Sequence, residues 1–156
     1  WVISSIARIG GLKMLEYIFM SLGGIFTLTI MYGVAKMDRK IILKGLLLYS
    51  ILPLLGETLG YMLDKQIFHI LFIALFLCQL SLATIVFQTI EDDHPMFSKF
   101  AVRVIACFIL INAVSALIIL GLTTNINPVY GIFHVLISIS LIPPFIKRLI
   151  KSLNNS

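Results

Sequence analysis

The chain has 156 residues, 60% of them hydrophobic and 12% charged, with a formal net charge of +5 and a mean hydropathy of +1.07. Soluble domains carry nearer a quarter charged residues because they must cover their surface with polarity, so this composition excludes a soluble fold and points to a bilayer. Backbone amides out of reach of water must bond internally, which leaves helices or closed barrels. Barrel strands alternate apolar and polar residues, whereas the apolar runs here are continuous, so the chain is read as an all-α integral, multi-pass membrane protein.

The first stretch, "WVISSIARIGGLK", has too short an apolar core for a signal peptide. With Trp1, Arg8 and Lys13 it reads as an interfacial segment over 1–14. A start at Trp1 rather than Met is expected of a processed, truncated or partial chain, and helices ahead of it would change the orientation count below.

Five runs then reach the roughly 17–25 residues that a spanning helix needs. They cover 15–35, 41–63, 67–90, 100–122 and 129–146. The connectors "KMDRK", "DKQ", "EDDHPMFSK" and "TTNINP" are too short for a separate soluble domain and no fixed-period repeat is present, so 1–156 is one helical membrane domain. In the third connector the acids and His94 match no calcium or zinc spacing. They fit a helix start, with Asp93 or His94 near the cap and Pro95 in the first turn. In the fifth run Pro143 and Pro144 remove amide donors. That helix either stops near Ile142, leaving 145–156 as a basic interfacial tail, or continues with a kink.

Lysine and arginine set the expected orientation. Lys36, Arg39, Lys40, Lys44, Lys99, Arg103, Lys147, Arg148 and Lys151 fall on one side, against Arg8, Lys13 and Lys65 on the other. Nine against three places the amino end outside and the carboxyl end inside. The positive charge is thus a topology signal, and no aromatic–basic interleaving suggests nucleic acid. Cys78 and Cys107 fall inside the third and fourth helices at different depths, as small hydrophobes do, with no disulfide, zinc or haem-attachment spacing.

The polar residues that a bilayer makes expensive carry the functional question. Glu57 lies six residues before the outer end of the second helix, roughly 9 Å deep. A carboxylate at mid-membrane costs about 2.5–3.5 kcal/mol on insertion scales, less near the edge. Tyr61 and Asp64 continue its stripe, Pro53 one turn earlier frees the Tyr49 carbonyl, and Gly56 with Gly60 forms a GxxxG face suited to close helix contact. His69 opens the third helix with Phe72, Phe76 and Gln79 on its stripe, while Tyr130, His134 and Ser138 share a face of the fifth. Glu57, His69 and His134 therefore fall within about 3–9 Å of one surface, level with Glu16 and Tyr17. They are the candidate ligand or ion site, with Tyr61 and Tyr130. The structural alternative is interfacial histidines and a neutral acid bonded to a tyrosine. Gln79 and Asn112, deeper on the third and fourth helices, read as helix-packing residues alongside Gly56 and Gly60.

No nucleophile elbow, phosphate loop or HExxH appears. Two histidines and a carboxylate are a legitimate metal set, and His69 with His134 could ligate a haem from opposing helices, although no cofactor is expected. Three classes stay open. The first is a non-catalytic subunit, anchor or assembly component that meets the lipid bilayer and either partner subunits or a second copy. The second moves a small solute, proton or ion through the polar cluster. The third is an enzyme or redox protein using the same residues on metal, haem or lipid. The sparse mid-membrane polarity argues against a wide aqueous pore, and the short connectors leave no lid for a soluble substrate, so the first class is preferred.

Overall fold

The structure is a computed structural model that describes residues 2–88, 95–122 and 126–154, with side chains for 13–63, 65–87, 99–122 and 126–154. Among these residues there is no strand, and the elements are α1 (Val2–Ala35), α2 (Arg39–Asp64), α3 (Ile67–Gln88), α4 (Pro95–Gly121), α5 (Pro128–Ser140) and α6 (Ile142–Asn154). Among the described residues five stretches are long and apolar enough to cross a membrane, the fifth made of α5 and α6 together. The number of spans is the one the apolar runs predict.

Short, well-capped turns fix the antiparallel packing. After α1, the Asp38 amide reaches the Gly33 carbonyl at 2.9 Å and the Met37 amide reaches Val34 at 2.9 Å, with Met37 in the left-handed region at φ 52°. This is the Schellman ending of a helix. Asp38 then turns its carboxylate onto the amides of Lys40 and Ile41, at 2.8 and 3.2 Å, and so caps α2. At the other end, Lys65 takes the left-handed conformation at φ 60° and its amide bonds Tyr61. Two residues later α3 begins. We refer to these two faces of the bundle as the Asp38 end and the Gln66 end.

The five spans close into a ring: α1 packs on α2, α2 on α3, α3 on α4, α4 on α5, and α5 back on α1. Its interior is filled by Ile30, Leu46, Phe72, Phe76, Phe108, Ile137 and Leu141, each essentially inaccessible. Large apolar side chains such as Leu28, Met62, Leu77, Leu110 and Leu117 face outward, the arrangement that lipid tolerates and water does not. Cys78 and Cys107 are among the outward residues.

Residues 2–14 continue into α1 as one helix; the sequence between Ala7 and Leu15 holds no proline to break it. Of the two expectations for the fifth run, the helix end near Ile142 is the one seen: α5 ends at Ser140 with Leu141 at its cap, and Pro143 and Pro144 sit in the first turn of α6. Their missing amides are harmless there, since first-turn amides have no intrahelical acceptor. The basic tail therefore begins at Ile142 as a helix of its own. Asp93 and His94 lie outside the described residues, although α4 does begin at Pro95.

Candidate functional site

Glu57 and His69 meet across the α2–α3 turn. The His69 ring nitrogen Nδ1 lies 2.5 Å from Glu57 Oε2, with the two side chains 15% and 18% exposed. Gly60 makes this possible: a Cβ built on it would lie 2.6 Å from His69 Cε1, so the missing side chain is the slot that admits the imidazole. Tyr61 does not join them. Its ring lies beneath Lys65, whose Nζ is 5.0 Å from the ring centre.

His134 belongs to a different constellation, fully inside the ring. Its Nδ1 is 2.8 Å from Asn112 Oδ1, an acceptor, so Nδ1 carries the proton and Nε2 is left to accept. The Tyr49 hydroxyl lies 3.3 Å from Nδ1 and 3.4 Å from Nε2; with Nδ1 donating to Asn112, Nε2 is the nitrogen able to accept from it. Asn112 Nδ2 donates to Gln79 Oε1 at 2.8 Å and to the Phe108 carbonyl at 2.8 Å. Gln79 Nε2 donates to Ser50 Oγ at 2.9 Å, and Ser50 donates to the Leu46 carbonyl at 2.6 Å. The bonds run in one direction from Tyr49 to Leu46 through four helices. Phe76 stacks on the imidazole at 5.3 Å, which holds its plane. Each of these polar side chains has a partner, the condition on which buried polarity is tolerable. Ser115, one turn beyond Asn112, has none among the described residues.

α5 carries the remaining contacts of its predicted stripe. Tyr130 donates to the Glu16 carbonyl at 3.3 Å, joining α5 to α1, and Ser138 donates to the Ile109 carbonyl of α4 at 2.9 Å. Asn127 caps α5 through the Val129 amide and gives its Nδ2 to Glu16 Oε1 at 3.0 Å.

Between α1, α2 and α5 at the Gln66 end lies a cavity of about 280 Å³. Phe72, Phe76, Phe133 and Leu52 give it an apolar, aromatic wall; Tyr49 and His134 form its polar floor, and Glu16, Glu57 and Tyr130 stand along its side. Among the described residues no lysine or arginine lines it. Gly56 opens onto this space, with nothing within 4 Å of a Cβ built there. The two glycines of the GxxxG pair thus differ: Gly60 packs against the His69 ring of α3, and Gly56 lines the cavity. Two glycines bring α1 and α2 close together. A Cβ on Gly33 would come within 2.8 Å of the Ile42 backbone nitrogen, and one on Gly45 within 2.7 Å of the Ile30 side chain.

The expected three-residue site is thus divided. Glu57 and His134 border one cavity but have separate partners, while His69 is turned from it onto Gly60. Among the described residues no group of three His, Cys, Asp or Glu side chains is placed to hold a metal ion, and His69 and His134 are engaged with different neighbours. Reasoning from sequence missed Tyr49 and Ser50. The available signal was their place on α2, two turns before Glu57 on the stripe that passes through Pro53. No family model, curated protein or solved structure matches the chain.

Proposed function

We propose that the chain is a non-catalytic membrane component that holds an amphiphile in the cavity beside Glu57. The observation that carries this reading is the cavity itself, apolar and aromatic in its wall, with a few polar groups converging on it, as small-molecule sites are built. Its charged lining residues, Glu16 and Glu57, are both acidic, which favours a ligand whose polar end is cationic or donates hydrogen bonds. The interior network supports a binding role over proton conduction. Two of its links are the carboxamides of Gln79 and Asn112, whose N–H groups do not exchange protons as hydroxyls or imidazoles do.

The test uses a decyl-chain amine bearing a photoreactive diazirine, offered to the protein in nanodiscs. Labelling is expected on peptides around Leu52, Gly56 and Phe76, and Gly56→Phe, which enters open space, should reduce it to background while the protein stays folded. Labelling that ignores Gly56→Phe, or that spreads evenly over the lipid-facing surface, would refute the reading.

A second reading, passage of a small solute, draws on the fact that the network separates this cavity from another that opens at the Asp38 end and reaches Leu46 and Phe108. It requires a liposome flux that Glu57→Gln removes without unfolding the protein.

Our proposed orientation has the Gln66 end outside and the Asp38 end inside, on the nine-to-three split of lysine and arginine. In a background free of Cys78 and Cys107, an impermeant thiol reagent should modify Lys36→Cys only from inside and Gln66→Cys only from outside. The opposite labelling would reverse the orientation.

A further inference from the structure

The cavity at the Asp38 end differs from the first in charge. It measures about 300 Å³, and its apolar floor includes Leu46, Val104, Ile105 and Phe108. Among the described residues four cationic ones line it, Arg39 from the start of α2 and Lys147, Arg148 and Lys151 from α6, and no acidic one does. The arrangement of α6 is unexpected for a surface helix. Ile142, Ile146, Ile150 and Leu153 form its apolar stripe and are all exposed, while the basic stripe on the opposite face borders the cavity. An amphipathic helix at a membrane surface buries its apolar face among acyl chains. Here that leaves the cations directed over a hole in the bundle that is itself apolar. An occupant that satisfies both surfaces needs an anionic head and a hydrocarbon tail.

We propose that this cavity seats an anionic phospholipid of the bilayer, with its phosphate among Arg39, Lys147 and Lys151 and one acyl chain against Leu46, Val104 and Phe108. Charge complementarity selects the lipid class: a zwitterionic lipid brings its own cation to a rim that already holds four. The leaflet that attracts lysine and arginine clusters is also the one rich in anionic lipid.

The experiment follows lipid retention by native mass spectrometry of the delipidated full chain, offered phosphatidylglycerol or phosphatidylcholine with identical acyl chains. Phosphatidylglycerol is expected to be retained in preference. Lys147→Gln and Lys151→Gln should each weaken its retention about fivefold, the effect of one cation near an anionic surface. Ile105→Phe, which narrows the apolar floor and leaves every charge in place, should lower retention of both lipids. Inorganic phosphate alone should leave the unfolding midpoint unchanged where phosphatidylglycerol raises it.

Equal retention of the two lipids overturns the proposal. So does loss of phosphatidylglycerol in the Gln variants with full retention in Ile105→Phe, which would mean a charged surface with no acyl seat, or a midpoint shift reproduced by free phosphate. Glu91, Asp92 and Asp93 of the α3–α4 connector are rival anions. A preference that emerges only in E91Q/D92N/D93N would assign the cations to them and equally reject the lipid. Should the Gln variants fail to fold, Lys147→Arg and Lys151→Arg keep the charge and are expected to keep the lipid; its loss there would count against the site.

Discussion

Asn112→Leu is expected to destabilise the protein more than any other single substitution in its interior. The side chain is wholly buried and accepts from His134, donates to Gln79 and donates to the Phe108 carbonyl. Leucine fills a similar volume, so little is lost in packing. What changes is that the His134 N–H and the Gln79 carbonyl oxygen lose their shared partner in a place that water does not reach. Each stranded group costs about 1–3 kcal/mol. Interhelical hydrogen bonds in membranes sit toward the low end, at about 0.6–2 kcal/mol, because alternative partners are often found. Here the alternatives are few, since Ser50 is already committed to Leu46 and Gln79. The loss should therefore total about 2–4 kcal/mol, measured as unfolding in mixed micelles of increasing denaturing detergent. Ser115→Ala is the control one turn away, at an equally buried hydroxyl with no described partner, and it should be neutral or slightly stabilising. Equal losses at both positions would mean that the network contributes no more than packing.

The second large effect is expected at a glycine, and it reverses the ranking that the GxxxG spacing suggests. Gly33→Leu should be severely destabilising, and Gly56→Leu should not. At Gly33 the first added carbon already meets the Ile42 backbone nitrogen at 2.8 Å and Ile41 Cγ2 at 2.9 Å. Backbone cannot rotate aside as the end of a side chain can, so α1 and α2 must separate next to the turn where Asp38 and Met37 close the end of α1. Overpacking of this kind costs about 1–3 kcal/mol, and more when the backbone is the obstacle. At Gly56 a leucine enters the cavity and removes a helical glycine, a gain of up to about 1 kcal/mol. Thermal midpoints in detergent should thus fall steeply for Gly33→Leu and stay level or rise for Gly56→Leu. A larger loss at Gly56 would show that its face packs against another helix, from this chain or a second copy.

The contrast between these two glycines shows where information about this protein resides. The number and type of its elements are legible residue by residue, because lipid imposes a local rule. Every span must be apolar for about 20 residues and must bond its own backbone, and runs such as 67–90 and 100–122 meet that rule without reference to anything else. The turn at Asp38 is almost as legible, an acid placed to cap the helix that follows. The tail was less so, since two adjacent prolines can end a helix or begin one, and only the packing of α6 on α4 selects the second.

The interior was legible only as a list of expensive residues. Depth along each helix brought Glu57, His69 and His134 to a similar level, and depth alone suggested a single site. Which of them touch depends on how each helix is rotated about its axis and how closely its neighbours approach, and membrane helices leave those choices to tertiary packing. An outward-facing leucine and an inward-facing one are equally content in hydrocarbon, so hydrophobicity does not set the rotation as it does in water. Packing closed the ring with Gly60 receiving His69, Gly33 receiving Ile42, and a directed set of hydrogen bonds from Tyr49 to Leu46. It also left two cavities of opposite charge at the two ends. The apolar runs alone are enough to specify a helical bundle with five stretches long enough to cross a membrane and a few costly polar residues. Which of those residues pair and which border empty space is set by packing, because pairing depends on rotations and close approaches to which a one-dimensional apolar pattern is indifferent.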